Sequence, residues 1–329
     1  MPLKSLFLVL SCLPLRPQSA DIAALARQAA ELRALVQHAP RLSLGNADFR
    51  IRPPGPEWGI GYPSSVAMDR NGLIYVLQRS VEPGRPPARG KADPVIVVDQ
   101  QGTVLRSWGA GMFQIPHAIR VDPKGNIWTV DAASSMVLEF TPQGKKLMEI
   151  SVGGQPAAKT GFNGTTDIAF APNGHLFISD GYGNARILEY SADGKRLAEW
   201  GSPGTGPGQF RQPHSLAVDD AGVIYVADRQ NGRLQRFDLQ GRFLGEWDHL
   251  GMVTSVAFAG GRLWIGTQQR NEPTTAAGWI MEIDRRSGKI VGYVDSSHGH
   301  HVINVTGNGT ILSGARPDTV LWWRRPLFP

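Results

Sequence analysis

The chain has 329 residues, a formal charge of +6, 39 glycines, 24 prolines and one cysteine. The positive charge is spread out with no long Lys/Arg run, which speaks against a nucleic-acid-binding tail and leaves room for an anionic small ligand. A single cysteine excludes an internal disulfide, and the abundance of glycine and proline calls for many turns.

The chain begins MPLKSLFLVLSCLPLRPQSA, with Lys4 ahead of a short apolar run, Leu6 to Leu10, and the small residues Ser19 and Ala20 after it. That order predicts an export signal over residues 1–20, too short to span a membrane. Two processing readings compete: cleavage after Ala20, releasing a soluble protein, and lipid attachment at Cys12 in VLSC. Either places the mature chain in a periplasm or outside the cell; the alternative to both is an uncleaved, frayed N-terminus. Residues 21–47 begin as an Ala-rich run in which Ile22, Leu25, Leu32, Leu35 and Val36 fall near one helical face before Pro40 stops it. This predicts a helical stalk or linker, without chemistry, ahead of a main domain at 48–329.

The main domain repeats itself. SSVAMDRNG from Ser64, HAIRVDPKG from His117, TDIAFAPNG from Thr166, HSLAVDDAG from His214, TSVAFAGG from Thr254 and HVINVTGNG from His301 align. Their third and fifth positions are apolar throughout, and most of the residues between are small or polar. This is the period-two signature of a strand. A glycine turn follows at a fixed offset, at Gly72, Gly125, Gly174, Gly222, Gly261 and Gly309. Further strands come next, as in LIYVL and then ARILEYS-ADG-KRLAEW. Six such four-stranded repeats predict an all-β fold, a six-bladed β-propeller with a short N-terminal helix. The last repeat lacks an outer strand, and the segment DFRIRP, 48–53, is expected to supply it and close the ring.

The first residues of the six inner strands read Ser64, His117, Thr166, His214, Thr254 and His301. Inner strands line the channel of a propeller, and alternate blades stand about 120° apart, so three imidazoles converge at one level. Three neutral histidines with an open position suit zinc, and also copper, iron or nickel. For any one of them the alternative is a structural strand-start histidine. His298 and His300 also lie in SSHGHHV, and register selects His301. Seven residues beyond each turn glycine lie Arg79, Ala132, Gly181, Arg229, Gln268 and Arg316, expected at the same channel mouth. Arg79 and Arg229 are candidate carboxylate clamps, against the alternative of solvated surface arginines. Tyr182 follows the strand top of blade three and is a candidate general base or a packing ring.

FNGTTDIAFAPNGHLFISDGYGNARILEYSADGKRLAEWG with PGQFRQPHSLAVDDAGVIYVADRQNGRLQRF closely resembles the NHL-repeat propeller of the peptidyl-α-hydroxyglycine α-amidating lyases. The resemblance is strong over 114–247 and weaker over 60–113 and 295–316. It implies cleavage of a peptide ending in α-hydroxyglycine to a peptide amide and glyoxylate. It implies zinc held by His117, His214 and His301, a catalytic Tyr182 in SDGY, and two active-site arginines, Arg79 and Arg229. It also implies a structural calcium, helped by an aspartate after the third histidine, but Val302 stands there. Gly183 stands where a disulfide cysteine of the family would be.

The expected activity is therefore that of a zinc-dependent carbon–nitrogen lyase acting on a small carboxylate-bearing or peptide substrate, as a monomer with no nucleic-acid partner. Two alternatives stay open on the same propeller: a metal-dependent lactonase or esterase, and a non-enzymatic binding platform.

Overall fold

The computed structural model describes residues 22–79, 92–153, 162–268, 278–296, 300–314 and 319–324, with 22–26 and 295–296 described by backbone alone. The export-signal segment with Cys12, and also His298 and Arg316, lie outside the described residues.

Six antiparallel sheets form six blades. Blade one runs Tyr62–Met68, Ile74–Arg79, Val95–Val98 and Val104–Trp108, each strand pairing with the next. Blades two to five repeat this meander from the inner strands Pro116–Val121, Asp167–Phe170, Pro213–Val218 and Val253–Ala259. Blade six has three strands of its own, Ile303–Val305, Ile311–Gly314 and Thr319–Arg324. Its outer position is filled from the N-terminal side, where Gly45–Asn46 and Phe49–Arg50 pair antiparallel with Thr319–Arg324. The closing segment thus starts a little earlier than the expected 48–53. Beyond it, Arg52 bridges to Thr103 of blade one. Ring closure satisfies an edge that would otherwise present unpaired backbone groups.

The inner hairpins turn as their composition requires. Asp69 Oδ1 accepts the backbone N–H of Asn71 and of Leu73, at 2.9 Å each, and Gly72 sits at φ +80°, where a side chain is strained. Asp122 and Asp219 do the same in blades two and four.

The core is a ring of six clusters, one at each blade–blade interface. Val66, Ile74 and Val76 of blade one pack against Leu312, Val320 and Trp322 of blade six. The alternate residues Ala67, Tyr75 and Leu77 pack against Ile119, Ile127 and Phe140 of blade two. Both faces of each blade are therefore buried, and removing apolar surface from water at six interfaces holds the ring.

The N-terminal helix, Ile22–His38, packs on the ring rather than standing off it as a stalk. Leu32 and Val36 are 3% exposed and join the interface of blades four and five beside Trp247, Leu250 and Met281. Leu35, expected on the apolar face, points outward at 43% exposure. Leu32 and Val36 are four apart and define the docked stripe, and Leu35 lies off it. No helix among the described residues is long and apolar enough to cross a membrane.

Candidate metal centre

The residues at the axis are placed by a backbone irregularity. Strand pairing skips Ser64 between Pro63 and Ser65, His117 between Pro116 and Ala118, His214 between Pro213 and Ser215, and Thr254 between Val253 and Ser255. Each is the extra residue of a β-bulge, a device that re-aims a side chain at the end of a ladder. Thr166 and His301 lie just ahead of the inner strands of blades three and six.

His117 and His214 are fully buried and His301 is partly exposed. The ligating nitrogens of the three lie within 4.8 Å of one another. Nδ1 of His117 donates to the Thr166 carbonyl at 2.5 Å, and Nδ1 of His214 to the Thr254 carbonyl at 2.6 Å. Nδ1 of His301 reaches the Ser64 carbonyl at 3.3 Å. A carbonyl oxygen can only accept, so the proton of each neutral ring is on Nδ1 and the lone pair of Nε2 faces the axis. The hydroxyl residues between the histidines continue the belt. Thr166 Oγ1 donates to the Pro213 carbonyl at 2.8 Å, and Thr254 Oγ1 donates to the His300 carbonyl. Blades three, five and one thus each orient the imidazole of the preceding blade, while the Ser64 hydroxyl bonds the Leu77 carbonyl of its own blade.

His300 is buried off this ring, with its Nδ1 3.1 Å from Ser313 Oγ and its ring edge-on to Trp323. The axial position belongs to His301.

Tyr182 brings its hydroxyl to the same point, 2.8 Å from Nε2 of His117, 3.1 Å from that of His214 and 3.4 Å from that of His301. Gly181 makes this approach possible, because a Cβ there would lie 2.1 Å from the Pro213 carbonyl oxygen. Arg79, 4% exposed, ends the second strand of blade one, and its guanidinium carbon lies 5.0 Å from the centre of the Phe162 ring. Phe162 in turn packs on Tyr182, with ring centroids 4.9 Å apart. Arg229 opens the short helix after the second strand of blade four and donates from Nη2 to Gln268 Oε1 at 2.8 Å. Gln268 follows the second strand of blade five.

Burial holds the imidazoles of His117, His214 and His301 well below their ordinary pKa, and the positive charges of Arg79 and Arg229 act in the same direction on each. The neutral rings offer three inward lone pairs, with one phenolic proton to share among them. Nε2 of His117 and of His301 are only 3.1 Å apart. Two bare lone-pair atoms at that distance repel unless a proton or a metal cation lies between them. Zinc–nitrogen bonds in tetrahedral array would put such atoms ~3.3 Å apart. The donor set therefore fits a divalent metal that accepts imidazole, and its members are three histidines with no carboxylate among them.

Of the residues singled out from sequence, the three histidines and Tyr182 meet at one point, and Arg79 is linked to them through Phe162. Arg229 and Gln268 form a second polar element of the site. Phe162 was not singled out, since a phenylalanine in a loop carries no periodic signal.

A family model for the NHL repeat matches residues 210–237. The chain is 32% identical over 250 residues to a peptidyl-glycine alpha-amidating monooxygenase of Mus musculus, an alignment covering 70% of this chain and 25% of that protein. It is 28% identical over 298 residues to a probable peptidyl-alpha-hydroxyglycine alpha-amidating lyase of Caenorhabditis elegans, covering 81% of this chain and 83% of that one. The chain thus spans about a quarter of the length of the mouse protein and most of the length of the nematode one. Among solved structures, a streptogramin B lyase superposes with a TM-score of 0.58 over 85% of this chain and 97% of its own, at 15% identity, a likeness of fold. By its relatives and its six blades, this chain belongs to the peptidyl-α-hydroxyglycine α-amidating lyase family of NHL-repeat β-propellers.

Proposed function

We propose that the protein is a zinc-dependent lyase that splits the carbon–nitrogen bond of an α-hydroxyglycine-type substrate, releasing an amide and glyoxylate. The observation that carries this reading is the convergence of three Nε2 lone pairs on the Tyr182 hydroxyl. His117, His214 and His301 would hold the metal, which supplies Lewis acidity toward a substrate oxygen.

The chain's own groups account for the rest. Arg79 and Arg229 bind the substrate carboxylate and hold the hydroxyl-bearing carbon toward Tyr182. The phenolic oxygen of Tyr182 takes the proton from the substrate hydroxyl. The C–O bond becomes the aldehyde C=O of glyoxylate as the C–N bond breaks. The electron pair of that bond goes to nitrogen, which is protonated to the amide. No water is consumed, so atoms and charge balance between substrate and the two products. Phe162, under Arg79, packs on the Tyr182 ring and helps to hold it in place.

The experiment is elemental analysis of the purified protein and its His214→Ala variant, followed by assay of both on an α-hydroxyglycine peptide and on a lactone. About one zinc per chain and amide formation by the parent, both lost in the variant, are expected. Lactone opening without amide formation would turn the reading to a hydrolase. A parent without stoichiometric metal or either activity would turn it to a binding platform.

A further inference from the structure

Beneath the histidines the aligned repeat places alanine at its fourth position in four blades, Ala67, Ala169, Ala217 and Ala257. Blade two has Arg120 there instead. Its side chain is 9% exposed and is bonded across the channel. Nε donates to Asp167 Oδ1 at 2.9 Å, Nη2 to Asp167 Oδ2 at 2.6 Å, and Nη1 to the Ile303 carbonyl at 2.8 Å. The Ser215 hydroxyl donates to Asp167 Oδ2 at 2.6 Å. One buried ion pair therefore links blades two, three, four and six.

Every anchor of this pair adjoins the histidine ring. Asp167 follows Thr166, whose carbonyl orients His117. Ser215 follows His214, Ile303 lies two residues after His301, and Arg120 lies three after His117. Below the pair, a cavity of about 350 Å³ bounded by Arg120, Phe170, Phe258 and Asn304 runs toward the opposite face. Arg120 thus stands between that space and the metal centre.

The resemblance implies a calcium near the third histidine, and these residues do not fit one. Calcium takes six to eight oxygens. Val302, 1% exposed, stands where a carboxylate would be needed, and both oxygens of Asp167 are engaged by Arg120 and Ser215. A guanidinium already supplies positive charge at this level. We propose that Arg120, paired with Asp167, is an internal axial cation that positions the three histidines from below, in place of a bound calcium. The positioning half rests on the metal-centre reading above; the replacement of calcium does not.

The test has two arms. In the first, the melting temperature of the parent is measured in a calcium chelator and in millimolar calcium, with calcium content determined alongside. No change and no bound calcium are expected. A clear rise with calcium, or about one calcium per chain, overturns the proposal. In the second, zinc affinity is measured by competition with a chromophoric chelator for the parent, for Arg120→Met/Asp167→Leu and for Asp167→Asn. Removing both charges leaves no unpaired buried ion, so the double variant is expected to fold. Its zinc affinity is expected to fall at least ~10-fold, as when groups that orient metal ligands are removed. A folded double variant, or a folded Asp167→Asn, that binds zinc as tightly as the parent overturns the proposal. If the parent itself binds no zinc, the metal-centre reading falls, and the calcium arm decides this one.

Discussion

Acid should unfold the metal-free protein through its axial imidazoles. In the folded chain their pKa values lie well below 6.5, because burial and the neighbouring guanidiniums oppose the imidazolium. In the unfolded chain they return to about 6.5. The unfolded state thus binds more protons in this window. Stability is complete above about pH 6.5 and falls as the pH drops from there toward the folded-state values. Each fully buried histidine costs about 1.4 kcal/mol per pH unit. His117 and His214 count in full and His301, at the mouth, in part, so the slope is about 3–4 kcal/mol per pH unit. Against a total stability of about 5 kcal/mol one or two units suffice for unfolding, and against about 15 kcal/mol some four to five are needed. Asp180 and Asp228, whose carboxyls burial pushes upward, act with the opposite sign at lower pH and do not contribute to this loss. The assay is urea unfolding of the metal-free protein at several pH values between about 5.5 and 7.5, with His214→Gln beside it. The variant should lose about a third of the slope. A flat profile in the parent, or an unchanged slope in the variant, would refute the assignment of these rings as buried neutral donors.

Three further outcomes follow from particular contacts. Tyr182→Phe keeps the ring on Phe162 but removes the hydroxyl from the axis; zinc content should be retained while turnover drops ~10²–10⁴-fold, the range for a lost proton-transfer group. Leu32→Ala should destabilise by about 2–3 kcal/mol in chemical unfolding, because Leu32 is buried between the helix and blades four and five; an effect under about 0.5 kcal/mol would mean the helix stands free. Truncation after residue 50 removes both segments that pair with Thr319–Arg324; size-exclusion chromatography should then show aggregated protein, whereas truncation after residue 20 should leave a monodisperse one.

Much of this protein was legible in its sequence because the signals are local. Period-two apolar positions and a glycine at a fixed offset specify a strand and a tight turn within about ten residues, and six copies specify a propeller. Counting that period also picked His117, His214 and His301, and selected His301 over its neighbour His300, because the register of a repeat fixes which residue starts each strand. The strand that completes blade six was legible from what the last repeat lacked.

Other features depend on what lies across the ring. Strict alternation cannot show that His117 and His214 are bulge residues, since a bulge is defined by the partner strand. Nor can it show which carbonyl fixes each tautomer, because Thr166, Thr254 and Ser64 belong to neighbouring blades. The docking of Leu32 and Val36, with Leu35 left outside, is decided by the surface of blades four and five. The Arg120–Asp167 pair left only a faint trace, two charged residues at repeat positions otherwise held by small or uncharged ones. Its partners are 47 residues apart in the chain, and only closure of the ring brings them within hydrogen-bonding reach. Local propensity chose the strands and turns; the meeting of side chains at the axis required six blades to close.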